Sequence, residues 1–137
     1  MEEIYETYAY FYVSGFEFDY LEITKKLEIN PTKAWNKGEE WLPTKERKFS
    51  SWEIHSSLSR SEIFLNTHIE SVLDIIEPKV LEILELKNQG CDLGINCVGY
   101  YRNAHPGFNL SAKIISRPAL FSIDIDFDLY CLCDANE

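Results

Sequence analysis

The sequence lacks any apolar run that approaches the roughly 18 residues needed to cross a membrane as a helix. Its first residues, Met1-Glu2-Glu3-Ile4, lack the basic start and the apolar segment of a secretory signal peptide. Glycine and proline are scarce, at six and five residues, which excludes a low-complexity disordered chain. We therefore expect a folded cytoplasmic protein with no membrane contact.

Basic residues are few. Lysine and arginine number 13 against 23 aspartates and glutamates, for a net charge of −10. The phosphates of nucleic acids and of anionic membranes would repel such a chain. A basic protein would instead be attracted to it. The charge therefore argues against a nucleic-acid partner and is compatible with a cationic protein.

The 137 residues, of which 45% are hydrophobic, suit a single domain over 1–137. Alternating apolar and polar residues predict strands at 5–14, 51–58, 91–101 and 122–133. Apolar residues at helical spacing predict a short helix after Asp19, a helix over 59–87 that is broken at Pro78, and a short helix over 110–120. This order predicts an α+β fold: a mostly antiparallel sheet of four to five strands with helices packed on one face.

Residues 31–50 read as a long polar loop, pinned by Trp35 and Trp41. The loop contains several of the basic residues with aromatic residues between them, as nucleic-acid surfaces do, but glutamates offset much of its charge. We interpret it as a packed surface loop. A small-ligand pocket beneath it, near these two tryptophans and Trp52, remains an alternative.

The last strand has the strictest alternation in the chain. Its predicted inward residues are Ile123, Ile125, Phe127, Leu129, Cys131 and Cys133. Cys91 and Cys97 are likewise in phase with a predicted buried face. All four cysteines are therefore predicted to be reduced core thiols, since Cys-x-Cys and Cys-x5-Cys are not the usual zinc spacing. A four-cysteine zinc site is the alternative.

The opposite face of the sheet is the candidate site. Its predicted partner-binding residues are Tyr8, Tyr10, Tyr12, Glu53, His55, Asp124, Asp126 and Asp128. A row of aspartates repels itself, and a cationic partner would relieve that repulsion. Tyrosine is frequent among interface hot spots. The tyrosine and aspartate rows would form one patch if the first and last strands are neighbours.

Two other interpretations of the aspartate row stay open. One is a solvated sheet face without a partner. The other is a metal site, but a calcium loop needs a turn glycine and a glutamate at its twelfth position, where this sequence has Ala135. We predict no metal and no cofactor.

The sequence also gives no catalytic set. Ser56 and Ser57 adjoin His55 only in sequence, and neighbours on a strand face opposite ways. His68 is predicted at a helix surface, and His105 lies in a turn. There is no Gly-x-Ser-x-Gly, His-Glu-x-x-His or phosphate-binding glycine loop. We therefore predict a protein that is not an enzyme.

Motifs along most of the chain resemble a known bacterial family. They are Tyr10-x-Tyr12-x-Ser14-Gly15, Phe18-Asp19 before Ile23 and Leu27, Pro31-Thr32, Trp35-x-Lys37-Gly38-Glu39, Ser51-Trp52, and a long helix with Leu73 and Pro78. The final strand of alternating acids completes the set. In these motifs the chain resembles the family called domain of unknown function 4279.

The resemblance implies a small cytosolic protein without a catalytic residue set. Some members are encoded beside polymorphic toxins, where they are thought to act as immunity proteins. The resemblance therefore predicts an immunity protein that neutralises a cognate toxin domain, such as a basic nuclease. A small-ligand or regulatory module is the alternative.

Overall fold

The computed structural model describes residues 6–102 and 107–132. The strands are β1 (Glu6–Ser14), β2 (Lys33–Trp35), β3 (Glu40–Leu42), β4 (Lys45–Glu46), β5 (Ser51–His55), β6 (Asp92–Tyr101) and β7 (Asp124–Cys131). The helices are α1 (Leu21–Leu27), α2 (Leu65–Ile76), α3 (Val80–Asn88) and α4 (Ala112–Ala119). A short 3₁₀ turn, Glu77–Lys79, joins α2 to α3 around Pro78, where the sequence predicts a break.

Five strands form the main sheet in the order β2-β5-β1-β6-β7, and β3 and β4 form a separate hairpin. All pairs in the main sheet are antiparallel except β6 and β7, which are parallel. The parallel pair needs a crossover, and the segment that contains α4 supplies it. The predicted α+β class with a mostly antiparallel sheet is confirmed.

The core lies between one face of this sheet and the helices. Phe11 of β1 and Trp52 of β5 are fully buried, together with Ile69 and Leu73 of α2. The Trp52 indole N–H donates to the Thr24 hydroxyl at 3.0 Å, so its polar atom is satisfied inside the core. The helices therefore cover one face of the sheet, which we call the core face. The other face we call the open face.

Helix α2 begins at Leu65 and not at residue 59 as predicted. Residues 59–62 instead form a turn in which the Glu62 N–H donates to the Ser59 carbonyl at 3.0 Å. None of the described helices has the length and the apolar character of a membrane span.

The interpretation of residues 31–50 as a loop is wrong, because β2 pairs with β5 at the sheet edge and β3–β4 form a hairpin. The predicted pinning by tryptophans is present. The Arg47 guanidinium lies 4.0 Å from the centre of the Trp35 ring and 4.7 Å from that of Trp41. The Trp35 indole also donates to the Phe49 carbonyl at 2.9 Å. Cation–π contacts thus hold the hairpin against the sheet edge.

The predicted burial of the last strand is only partly right. Ile123 is buried and Ile125 is half-buried, but Phe127 and Leu129 are 41% and 44% exposed. The reason is that β7 is the edge strand, and of these four residues only Ile123 and Ile125 pack with the core. Cys131 is exposed as well, which corrects its assignment as a core thiol.

Cys91 and Cys97 are buried, as predicted. Burial, with a smaller contribution from Asp126, raises the pKa of the Cys97 thiol to about 12. This thiol therefore stays protonated and unreactive at neutral pH. Cys133 lies outside the described residues.

Candidate functional site

The structure brings all eight predicted site residues to the open face. Tyr10 lies opposite His55 and Tyr12 opposite Glu53 in the β1–β5 register. Residues directly opposite each other on neighbouring strands point to the same side of the sheet. On the other flank of β1, β6 pairs residue by residue with β7, and this register places Asp124, Asp126 and Asp128 on the same side.

The tyrosine and aspartate rows are not on neighbouring strands. Strand β6 lies between β1 and β7, so the condition that the first and last strands are neighbours is not met. Asn96 of β6 nevertheless joins the rows, because its side-chain amide donates to the Tyr10 hydroxyl at 2.8 Å and to the Asp128 carboxylate at 3.0 Å. One hydrogen-bonded surface therefore includes both rows. Asn96 was not among the predicted site residues.

Aromatic rings are stacked along the centre of the open face. The His55 ring lies 5.6 Å from the Tyr8 ring and 4.9 Å from the Tyr10 ring, nearly parallel to both. The Arg60 guanidinium lies 4.0 Å from the centre of the Tyr8 ring. Tyr12 meets Tyr10 edge to face at 6.4 Å. These contacts hold the rings in fixed orientations, so they lose little side-chain entropy when a partner binds.

Glu53 and His55 form a pair within this stack, with Oε1 and Nε2 separated by 2.9 Å. Their side chains are only 12% and 11% exposed. The His55 backbone N–H donates to the Thr32 hydroxyl at 3.0 Å, which ties β5 to the start of the 31–50 segment. The pair is therefore a rigid part of the surface.

The environment of the open face raises the pKa values of its tyrosines. Burial raises the pKa of Tyr12, and the carboxylates of Asp126, Asp92 and Asp124 raise it further. Burial likewise raises the pKa of Tyr10, although the hydrogen bond from Asn96 opposes this effect. The hydroxyls stay protonated at neutral pH, while the aspartates beside them supply negative potential. The surface thus combines neutral aromatic anchors with an acidic margin.

Two clefts adjoin this surface where it meets the 31–50 segment. One, of about 600 Å³, is lined by Tyr8, Tyr10 and His55 on one side and by Trp35 and Arg47 on the other. The second, of about 770 Å³, lies beside Trp41 along the hairpin. Trp35 lines both clefts and Trp41 lines the second, in the region where the alternative interpretation places a pocket. Trp52 is not part of it, because its side chain is in the core.

A serine–histidine pair that the sequence analysis did not predict lies beneath the sheet. His68 is fully buried, which corrects its predicted place at a helix surface. Its Nδ1 lies 2.5 Å from the Ser56 hydroxyl, and its Nε2 lies 2.7 Å from the Glu62 carbonyl oxygen. These contacts fit a neutral ring that accepts from the serine and donates to the carbonyl. Because the ring has no exposed surface and neither cleft reaches it, we interpret the pair as structural.

We expect this histidine to make stability depend on pH. Burial lowers the pKa of His68 below its ordinary value of 6.5. The unfolded chain therefore takes up a proton before the folded chain does. Stability is full above pH 6.5 and falls as the pH drops toward the lowered pKa, by at most about 1.4 kcal/mol per pH unit. Denaturant unfolding at a series of pH values should show this loss.

The matched variant is His68→Gln, which keeps an acceptor and a donor in the same position but cannot titrate. Its unfolding free energy should vary less with pH below 6.5 than that of the wild type. Parallel pH profiles for the two proteins would contradict this role for His68.

The described residues contain no group of three or more His, Cys, Asp and Glu side chains that could hold a metal ion. The aspartate row follows the strand, so its carboxylates are spaced at roughly 6.8 Å, the repeat of alternate residues on a strand. That spacing is too wide for one ion to be bound by all three. His105 lies outside the described residues.

Among known proteins the chain matches one family model, but no curated protein and no solved structure. Neither the search of curated proteins nor the search of solved structures found a match. The family model named Domain of unknown function (DUF4279) matches residues 4–132, nearly the whole chain. The chain therefore belongs to the DUF4279 family.

Proposed function

We propose that this protein is an immunity protein that binds and neutralises a cognate bacterial toxin domain through the open face. The observation that supports the proposal most is the hydrogen bonding of Asn96 to both Tyr10 and Asp128, which makes the tyrosine and aspartate rows one surface. Aromatic anchors beside a margin of one charge are the composition of a specific protein interface. The net charge of −10 favours a basic toxin.

On this proposal the protein acts by occlusion and not by catalysis. The tyrosine hydroxyls are neutral and the rings are held by their neighbours, so the surface is already organised when the partner arrives. The aspartates accelerate encounter with a cationic toxin, and the aromatic rings supply contact area once it is bound. The toxin's own active site is covered in the complex.

A growth experiment tests the proposal. The probe is the C-terminal domain of a large toxin-like protein encoded immediately upstream, produced in cells that also produce this chain. We expect co-production to restore growth. Tyr10→Ala, which removes a central anchor, should weaken protection, because such hot-spot truncations cost about 2 kcal/mol or more.

The matched control is Glu70→Lys, an exposed change on α2, which packs against the core face. It should protect as well as the wild type. A toxic upstream domain that stays toxic with the wild-type chain present would overturn the proposal.

A small-ligand module is the second candidate, and the cleft between the tyrosine–histidine stack and Arg47 favours it. Aromatic walls with a guanidinium would suit a planar anionic compound. Native mass spectrometry of the chain purified from its own host tests this alternative. A bound small molecule that is lost in the Trp35→Ala variant would support it, and a mass equal to that of the chain alone would argue against it.

A further inference from the structure

The side chains of β7 are more exposed to solvent than is usual for a strand with a parallel neighbour. Parallel pairs normally have both faces covered. In β7 every residue except Ile125 is exposed. Among the described residues, β7 also ends the sheet, so its outer backbone edge faces no other strand. The exposed stretch Asp124–Tyr130 of this edge is a template for another strand.

We propose that β7 receives a strand from a basic protein partner by addition to this edge. The partner strand alternates lysine or arginine with apolar residues. This inference deepens the proposed function, on which it rests, because it names the element by which the toxin domain would be held. It extends the interface from the open face to the edge of the sheet.

The two sides of β7 specify this chemistry. Asp124, Asp126 and Asp128 point to the open face, while Phe127 and Leu129 point to the other side and are 41% and 44% exposed. A strand added beside them would place its side chains directly opposite, within about 5.5 Å. Cationic side chains would then face the aspartates, and apolar side chains would face the phenylalanine and the leucine.

A second copy of this chain fits the edge poorly. Antiparallel pairing of two β7 strands about a twofold axis perpendicular to the sheet would bring their aspartate rows together on one side. Like charges directly opposite each other destabilise a strand pair. Charged residues at an edge do protect a protein from self-association. That role alone does not account for Phe127 and Leu129, since a purely protective edge would be polar on both sides.

The test uses the full chain and two synthetic peptides of eight residues, the length of β7. One peptide alternates lysine and valine, and the other has the same composition with its lysines grouped at one end. Hydrogen exchange, followed by NMR, reports which backbone amides the peptide protects. We expect the alternating peptide to protect amides of β7 and to bind about tenfold more tightly than the grouped one.

Variants locate the effect. Asp126→Lys should weaken binding of the alternating peptide by about tenfold, whereas Glu70→Lys should leave it unchanged. Three results would overturn the inference: equal binding of both peptides, no protection of β7 at saturation, or dimers of the chain itself that pair through β7.

The same exchange measurement on the upstream domain separates this inference from the proposed function. If the peptide protects β7 but the toxic domain does not bind the chain at all, the immunity function fails and the strand site stands. If the domain binds without protection of β7, the function stands and strand addition is wrong.

Discussion

Replacing Trp52 by alanine is expected to lower the free energy of unfolding by about 3–5 kcal/mol, the range for a large buried aromatic. The side chain has no exposed surface, and its ring meets Phe11 edge to face at 6.5 Å. The substitution also removes the hydrogen bond that the indole N–H donates to the Thr24 hydroxyl. Denaturant unfolding of the variant and the wild type measures the loss directly.

Trp41→Ala is the matched control, because Trp41 is 47% exposed on the β3–β4 hairpin. It removes the same kind of side chain at a position outside the core, and we expect a change of about 1 kcal/mol or less. A small loss for Trp52→Ala would contradict the placement of this residue in the core. It would also reopen the alternative in which Trp52 lies near a ligand pocket.

Charge reversal at Asp124 and Asp126 is expected to give the largest change in association. In complex formation with a basic toxin domain, the double lysine variant should associate more slowly than the wild type, by about tenfold at low salt. Its association rate should also depend less on ionic strength, because fewer charges attract the partner. Stopped-flow mixing over a series of salt concentrations measures both quantities.

The matched control is the double variant Glu17→Lys and Glu70→Lys. It changes the net charge by the same amount at exposed positions outside β7, one after the end of β1 and one on α2. Its association should slow much less. Equal slowing in both double variants would show that net charge alone attracts the partner, and the assignment of the aspartate row would then be wrong.

The central part of the fold could be predicted because β1 is a long strand with one buried face. Its alternation identified its outward tyrosines, and the residues between them are buried. In β7 the same kind of alternation was misleading. Alternation tells which residues share a face, but whether a helix covers that face depends on strand order, and β7 is at the edge. Phe127 and Leu129 were therefore wrongly predicted to be buried.

Two further errors have local causes. Strands β2 and β4 have three and two residues, too few to show an alternation within the polar 31–50 segment. His68, by contrast, had a readable signal. It follows Leu65 by three positions and precedes Val72 by four, so helical spacing places it on the buried stripe of α2. Its polar character outweighed that spacing in the prediction.

The sequence predicted which residues form the candidate site but not the contacts that join them. The outward residues of three strands followed from alternation alone. The contact of Asn96 with both rows depends on β6 lying between β1 and β7, and strand order arises from tertiary packing. The cation–π contacts of Arg47 and Arg60 likewise join distant parts of the chain. No spacing in the sequence identifies such pairs.

The most direct test of the immunity function is calorimetric titration of the wild-type chain with the C-terminal domain of the toxin-like protein encoded immediately upstream. We predict a dissociation constant in the nanomolar range, equivalent to about −12 kcal/mol, and weaker binding by the Tyr10→Ala variant. A folded and toxic domain that releases no heat of binding with the wild-type chain would contradict the function proposed for it.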